Sequence, residues 1–131
     1  MAEETPFVPD VEKDPFAQLL GINLISLEPG HSVVGMTLRG DMLNFHGVAH
    51  GGAVFALADA SFALASNSQG AKAVALNVSV TYLSAATAGA KLIAEAVARN
   101  VSRRIGLYDL TVRTEEGQLI ASLQGLAYRM G

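Results

Sequence analysis

The chain has 131 residues, enough for one compact domain; half are hydrophobic and only 16% are charged. A formal net charge of −3 argues against the basic face that nucleic-acid binding requires. With no cysteine in the chain, a disulfide framework, a thiolate nucleophile and a cysteine-based zinc site are all excluded.

Residues 1–13 read as a flexible leader. They are acidic and proline-bearing and lack the basic and apolar regions of a secretory signal, so a cytoplasmic location is expected. A single domain is expected over 14–131. Asp14-Pro15 offers an N-cap followed by proline at the first helical position, opening a short helix through Leu20 that Gly21 stops. Residues 22–27 read as a strand and Glu28-Pro29-Gly30 as a turn. Residues 32–39 read as the hairpin partner, with Val34, Met36 and Leu38 alternating against Gly35, Thr37 and Arg39.

Residues 40–52 follow neither period and are rich in His, Asn and Gly. A helix over 52–67 comes next, so apolar that it must be wrapped on most sides. The apolar run of 51–65 is shorter than the roughly 20 residues of a membrane span, and Asp59 interrupts it, so a buried helix is expected and no membrane contact.

Four strands are expected over 73–83, 91–99, 105–114 and 119–129, with Val74, Leu76, Val78, Val80 and Tyr82 forming one apolar face of the first. Turns fall around 88–89, 100–104 and 115–117, and the first and last of these fit short antiparallel connections. Two strands, one long apolar helix and four more strands predict an α+β fold in which a curled sheet wraps the helix.

Asp59 is the residue that local physics explains least well. A lone carboxylate among Ala56, Leu57, Ala58, Phe62 and Ala63 is costly to bury, and desolvation would make it more basic, as a general base or nucleophile requires. A solvated position at a sheet edge accounts for the same carboxylate, and on that residue alone the two readings stand level. The preceding loop tilts the balance. Gly51-Gly52 stand where the long helix begins, and a helix start presents unpaired N–H groups that can polarise a carbonyl. Taken by itself, a Gly-Gly pair equally fits an ordinary tight entry into a helix.

Gly51 and Asp59 are eight positions apart. On one helix that is roughly 12 Å at ~1.5 Å per residue, too far for one substrate carbonyl to touch both. Antiparallel helices of two subunits would bring the Gly51 of one to the Asp59 of the other. A homodimer with cross-subunit sites follows if the two residues act together.

Residues 44–59, from Asn44 through His50-Gly51-Gly52 to Leu57 and Asp59, resemble the N-x-x-G-x-x-H-G-G-x-x-x-x-L-x-D signature of PaaI-like hotdog thioesterases. The similarity extends over roughly 14–130 and includes Val80-Thr81-Tyr82-Leu83-Ser84. The resemblance implies a hotdog fold and acyl-CoA thioester hydrolysis, with arylacyl groups such as phenylacetyl among the expected substrates. It implies that Asp59 activates water or attacks directly and that the Gly51 N–H is the oxyanion donor. Asn44 would orient the water or the carbonyl, and His50 would line and shape the site together with Gly52. It further implies no cofactor beyond the CoA of the substrate, and dimers paired into a homotetramer. Some relatives carry a Ser or Thr on the strand after the helix to hold the water. Here Ala75 and Asn77 stand in that region, so either Asn77 takes the role or the role is empty.

The turn Asn100-Val101-Ser102-Arg103-Arg104 resembles the basic turn that hotdog thioesterases place near CoA phosphates, and guanidinium groups suit phosphates. Either arginine taken singly also fits a solvated hairpin end. His46 and His50 have a zinc-compatible spacing but no third ligand nearby, so no metal site is expected. His31 reads as solvated. Tyr82 and Phe62 read as core before substrate-stacking, with Tyr82 kept as a substrate contact; Phe7 and Phe16 are weaker candidates for an acyl pocket. The rival functions are an acyl-thioester hydratase or dehydratase, which pairs a histidine with a carboxylate in a different motif, and a non-catalytic acyl-CoA sensor.

Overall fold

A computed structural model describes residues 8–130. Helix α1 is Pro15–Leu20, followed by strands β1, Asn23–Glu28, and β2, His31–Thr37. Helix α2 is Gly51–Ser66; strands β3, Ala73–Tyr82, β4, Lys91–Val101, β5, Ile105–Thr114, and β6, Leu119–Arg129, follow. The local signals account for the boundaries. The Asp14 carboxylate caps α1 by accepting the Phe16 and Ala17 N–H groups at 3.1 Å each, and Gly21 ends the helix in the left-handed region at φ 71°.

The six strands form one antiparallel sheet in the order β1-β2-β4-β5-β6-β3, curled around α2. The buried side of α2 (Val54, Leu57, Phe62) packs on Val34, Leu92, Leu110, Val112 and Ile120 from the sheet. Phe62 stacks obliquely on Tyr108 at 5.5 Å, over Gly125, where a Cβ would stand 2.8 Å from the Phe62 ring. Buried Ser32 ties sheet to helix by donating to the Ser61 carbonyl, while the buried Ser61 hydroxyl is satisfied within α2 on the Ala58 carbonyl. This is the expected α+β arrangement, the hotdog fold. Among the described residues no helix is long and apolar enough to cross a membrane.

The structure corrects the sequence reading of the connection between β3 and β4. They do not form a hairpin: β3 lies at the far edge beside β6, and β4 lies between β2 and β5. Residues 83–90 instead cross the end of the sheet, held where Ala49 donates to the Ala86 carbonyl and Leu38 to that of Ala90. A glycine turn between two strands reads the same locally in both topologies. The turn at 100–104, by contrast, closes a β4–β5 hairpin, with the Ser102 N–H on the Ile105 carbonyl.

The expected single apolar face of β3 is also split. A bulge between Ala75 and Asn77 shifts the alternation, so Ala75, Val78 and Val80 oppose Ala127, Gly125 and Leu123 on the α2 side. Val74 instead opposes Tyr128 on the other face, and half-exposed Leu76 is the extra residue.

Of the leader expected over 1–13, residues 1–7 lie outside the described residues, among them the candidate Phe7. The rest is tied down despite its polar composition. Val11–Lys13 form a 3-10 turn capped by Asp10; Val11 is buried and its carbonyl accepts from the Gln18 side chain.

Candidate active site

The loop before α2 is built to deliver a helix start at a fixed place. The Asn44 side-chain oxygen accepts the His46 N–H at 2.9 Å and that of Val48 at 3.4 Å. Gly47 completes the turn at φ 79°, where a side chain would be strained. The chain then returns antiparallel, with Leu43 bridged to Ala49 and the His50 N–H on the Met42 carbonyl. Asn44 therefore organises the loop whatever else it does.

His50 is the N-cap of α2, its Nδ1 accepting the Gly52 N–H at 2.8 Å. That bond requires an unprotonated Nδ1 and engages the ring in structure. Ala53 and Val54 donate to the His50 carbonyl. The Gly51 N–H, the first of the helix, donates to no group among the described residues. It is an open, dipole-backed donor.

Tyr82 stands over this point. Its hydroxyl donates to the Gly51 carbonyl at 3.0 Å, and its ring lies 3.2 Å from where a Gly51 Cβ would be. It is half-exposed, so it is no core residue, and it forms a wall beside the Gly51 N–H. The sequence reading of Tyr82 as core first is corrected by the edge position of β3. Phe62, in contrast, is core.

Asp59 lies mid-way along α2 on a narrow exposed strip shared with Gly52 and Ala63, and its carboxylate has no hydrogen bond or ion pair among the described residues. Although solvent reaches it in the isolated chain, the surrounding helix and N-terminal turn partly desolvate it. That desolvation, aided by the negative charge of Asp14, raises its pKa above the usual aspartate range. Within one protomer Gly51 and Asp59 stay two helical turns apart, as expected from their spacing.

Asn77 pairs with Leu126 on the sheet face turned away from α2, while Ala75 takes the α2 side. The bulge produces this inversion, and it leaves no hydroxyl or amide from that stretch facing the helix of its own protomer.

The basic turn sits at the other end of α2. Arg103 and Arg104, with Gln69, Gly70 and Ala71, line a cavity of about 280 Å³ that also contains Arg129. Sequence reasoning did not single out Arg129, since nothing marks the last residue of a strand as converging on a turn 25 positions earlier. Its guanidinium donates to the Ser102 carbonyl at 2.8 Å and to that of Gln69 at 3.1 Å, and its buried Nε has no partner among the described residues. The Ser102 hydroxyl is turned onto the Ile105 carbonyl.

His46 stacks on exposed Phe45 at 4.2 Å. No group of three or more potential metal ligands occurs among the described residues. His31, expected to be solvated, is half-exposed and paired with Glu95.

A curled antiparallel sheet around one long central helix is the hotdog architecture. Residues 46–121 match the thioesterase superfamily, and the chain belongs to that family, in its PaaI-like group. It is 40% identical over 120 residues to the acyl-coenzyme A thioesterase PaaI of Escherichia coli K12, covering 92% of this chain and 86% of that one. The structure of E. coli PaaI superposes with a TM-score of 0.89, covering 92% of this chain and 87% of that one at 40% identity. A mutant of the phenylacetic acid degradation protein PaaI of Thermus thermophilus gives 0.86 at 45% identity, covering 89% of this chain and all of the other. A Streptococcus mutans UA159 protein solved with acetyl CoA gives 0.81 at 31% identity, covering 84% and 89% respectively.

Proposed function

We propose that this enzyme hydrolyses acyl-CoA thioesters, arylacyl ones among them, to the free acid and CoA, at sites formed between two protomers. The observation that carries the reading is the partnerless Asp59 carboxylate, made more basic by its surroundings and two turns from an uncommitted Gly51 N–H. The named activity of the E. coli relative and the acetyl CoA bound to the S. mutans protein support the same reading.

In this mechanism the thioester carbonyl lies against the Gly51 N–H of one protomer, facing Asp59 of the other. Asp59 takes a proton from water as the oxygen adds to the carbonyl carbon, and the developing oxyanion is held by the N–H and the positive end of α2. Collapse breaks the C–S bond, and the thiolate leaves with the proton returned by Asp59. Direct attack by Asp59 would give a mixed anhydride that water then hydrolyses, to the same products. Asn44 and His50 hold the loop and helix start in register, and Gly52 and Tyr82 shape the approach to Gly51. Arg103 and Arg104 receive the CoA phosphates, while Ser102, whose N–H and hydroxyl both donate to the Ile105 carbonyl, holds the turn that presents them. Asn77, on its outward face, would act only toward a neighbouring subunit.

No step calls for a metal or a cofactor; CoA belongs to the substrate. The working form is a cytoplasmic homodimer, itself paired into a tetramer. The first test is thiol release from a panel of acyl-CoAs by wild type and Asp59→Asn. A loss of at least ~100-fold in a folded variant is expected, the scale of a general-base contribution. Undiminished turnover would remove Asp59 from the chemistry, and acyl-CoA retention without thiol release by the wild type would favour a sensor.

A further inference from the structure

The basic cavity at the C-terminal end of α2 has two rims from distant parts of the chain. One is the β4–β5 turn that carries Arg103 and Arg104; the other is Gln69-Gly70-Ala71, between α2 and β3. Arg129, at the end of β6, joins them. Its guanidinium donates to the Ser102 carbonyl on the first rim at 2.8 Å and to the Gln69 carbonyl on the second at 3.1 Å. Its backbone N–H adds a bond of 2.7 Å to the Arg104 carbonyl, and neighbouring Met130 donates to the Lys72 carbonyl next to the second rim. The Gln69 rim is also held from within, since the hydroxyl of core Tyr108 donates to the Gln69 side chain.

The charge of the cavity is one-sided in a chain whose net charge is −3. Neither Asp nor Glu lines it, and among the described residues none of the three guanidinium groups is paired with a carboxylate. Like charges gathered without a counterion repel one another, and an anion in the cavity relieves that repulsion. Arg129 is the least free of the three: its two terminal nitrogens are spent on carbonyls and its Nε is buried. Arg103 and Arg104 are exposed and reach a ligand directly.

We infer that Arg129 is a positioning residue for substrate binding: by clasping the two rims it holds Arg103 and Arg104 where the CoA phosphates meet them. The inference rests on the thioesterase reading above and deepens its account of the CoA end of the substrate. The planar fork of a guanidinium lets one side chain serve both carbonyls, and an ammonium lacks it.

The test compares the full-length enzyme with Arg129→Lys on two thioesters of one acyl group. These are the acyl-CoA that the wild type turns over fastest and the matching acyl-pantetheine, which lacks the nucleotide and its phosphates. Lysine keeps the positive charge and loses the fork. The ratio of kcat/KM for the CoA thioester to that for the pantetheine thioester is expected to fall at least ~5-fold, the scale of one hydrogen bond of ordinary net strength. The fall should lie in KM rather than kcat. General damage to the fold would lower both substrates alike and leave the ratio where it was. In an enzyme already carrying Arg103→Ala and Arg104→Ala, the same substitution is expected to change the ratio little, because residues that act through one contact are not additive. If Arg129→Lys does not fold, Arg129→Gln, which keeps an amide donor for one rim, decides in its place. A ratio unmoved in a folded variant, or an equal fall in both backgrounds, would overturn the inference and leave the thioesterase reading standing. A wild type that hydrolyses no acyl-CoA of the panel would overturn both.

Discussion

The two ends of α2 are built on opposite principles. At its C-terminal end almost every polar group is spent on holding the fold. Asn67 closes the helix and captures the start of β3, Ser68 donates to the Ala65 carbonyl and accepts the Gly30 N–H, and Arg129 clasps the Gln69 carbonyl. At the N-terminal end His50 satisfies the second N–H of the helix, and the first, at Gly51, is left open beside Tyr82. An anchored end fixes where the helix lies, and an open end at a fixed place can polarise a substrate. The difference sets an end whose donors are spent on the fold against one with a donor to spare, along a single element.

The sharpest way to break this comparison is to remove the open donor without disturbing the helix. Gly51→Pro does so, because proline suits the first helical position and His50 already has the extended backbone that a residue before proline prefers. Around the new Cβ, the Tyr82 ring at 3.2 Å has to give. Loss of one oxyanion donor is expected to lower kcat by about 10²–10³. Co-assembled with Asp59→Asn, the same variant tests the subunit arrangement. In a mixed dimer one site combines both lesions and the other retains an intact Gly51 and an intact Asp59. Recovery of activity on mixing is the expected outcome. Two dead variants that stay dead in verified mixed dimers would put the site within one chain.

How legible this was in the sequence follows from how local each signal is. The caps at Asp14 and Gly21, the strand alternation from Val34 to Leu38 and the boundaries of β5 and β6 rest on neighbours within a few residues, and the structure agrees with them. The placement of β3 beside β6 rests on which edge a strand joins, and residues 83–90 carry no local mark of it. The bulge at Leu76 is equally silent, yet it splits the apolar face and turns Asn77 away from α2. The candidates Gly51 and Asp59 were legible because a helix start and a lone acid are conspicuous in an apolar run. Arg129 and the Val11 turn were not, since their roles come from contacts across the fold.

A milder test addresses the anchored end. Arg103 and Arg104 line their cavity with Arg129, whose guanidinium is engaged with two carbonyls, which leaves the pair to meet a ligand. Replacing both by alanine is expected to raise KM for acyl-CoA by about 10-fold, with kcat near wild type, because phosphate contacts bind ground and transition states alike. The wild-type KM should rise with salt more steeply than that of the double variant. A double variant that instead loses kcat at constant KM would tie this end to the reacting carbonyl and erase the division between the ends of α2.

The smallest expected effect is on stability, and its sign is diagnostic. The pKa of Asp59 is raised in the folded chain, mainly by desolvation and further by Asp14, so the folded state holds this proton more tightly than the unfolded state does. The resulting stabilisation is present when the group is protonated. It fades as pH rises through the unfolded aspartate range and is gone above the folded pKa, where ionised Asp59 sits in surroundings that disfavour it. Asp59→Asn removes that cost, so at pH 7 the variant should melt above the wild type, and the gap should close on acidification through the carboxylate range. A wild type that melts higher than the variant at pH 7 would mean that Asp59 finds a favourable partner in the assembled dimer, and a carboxylate so satisfied would be a poorer base.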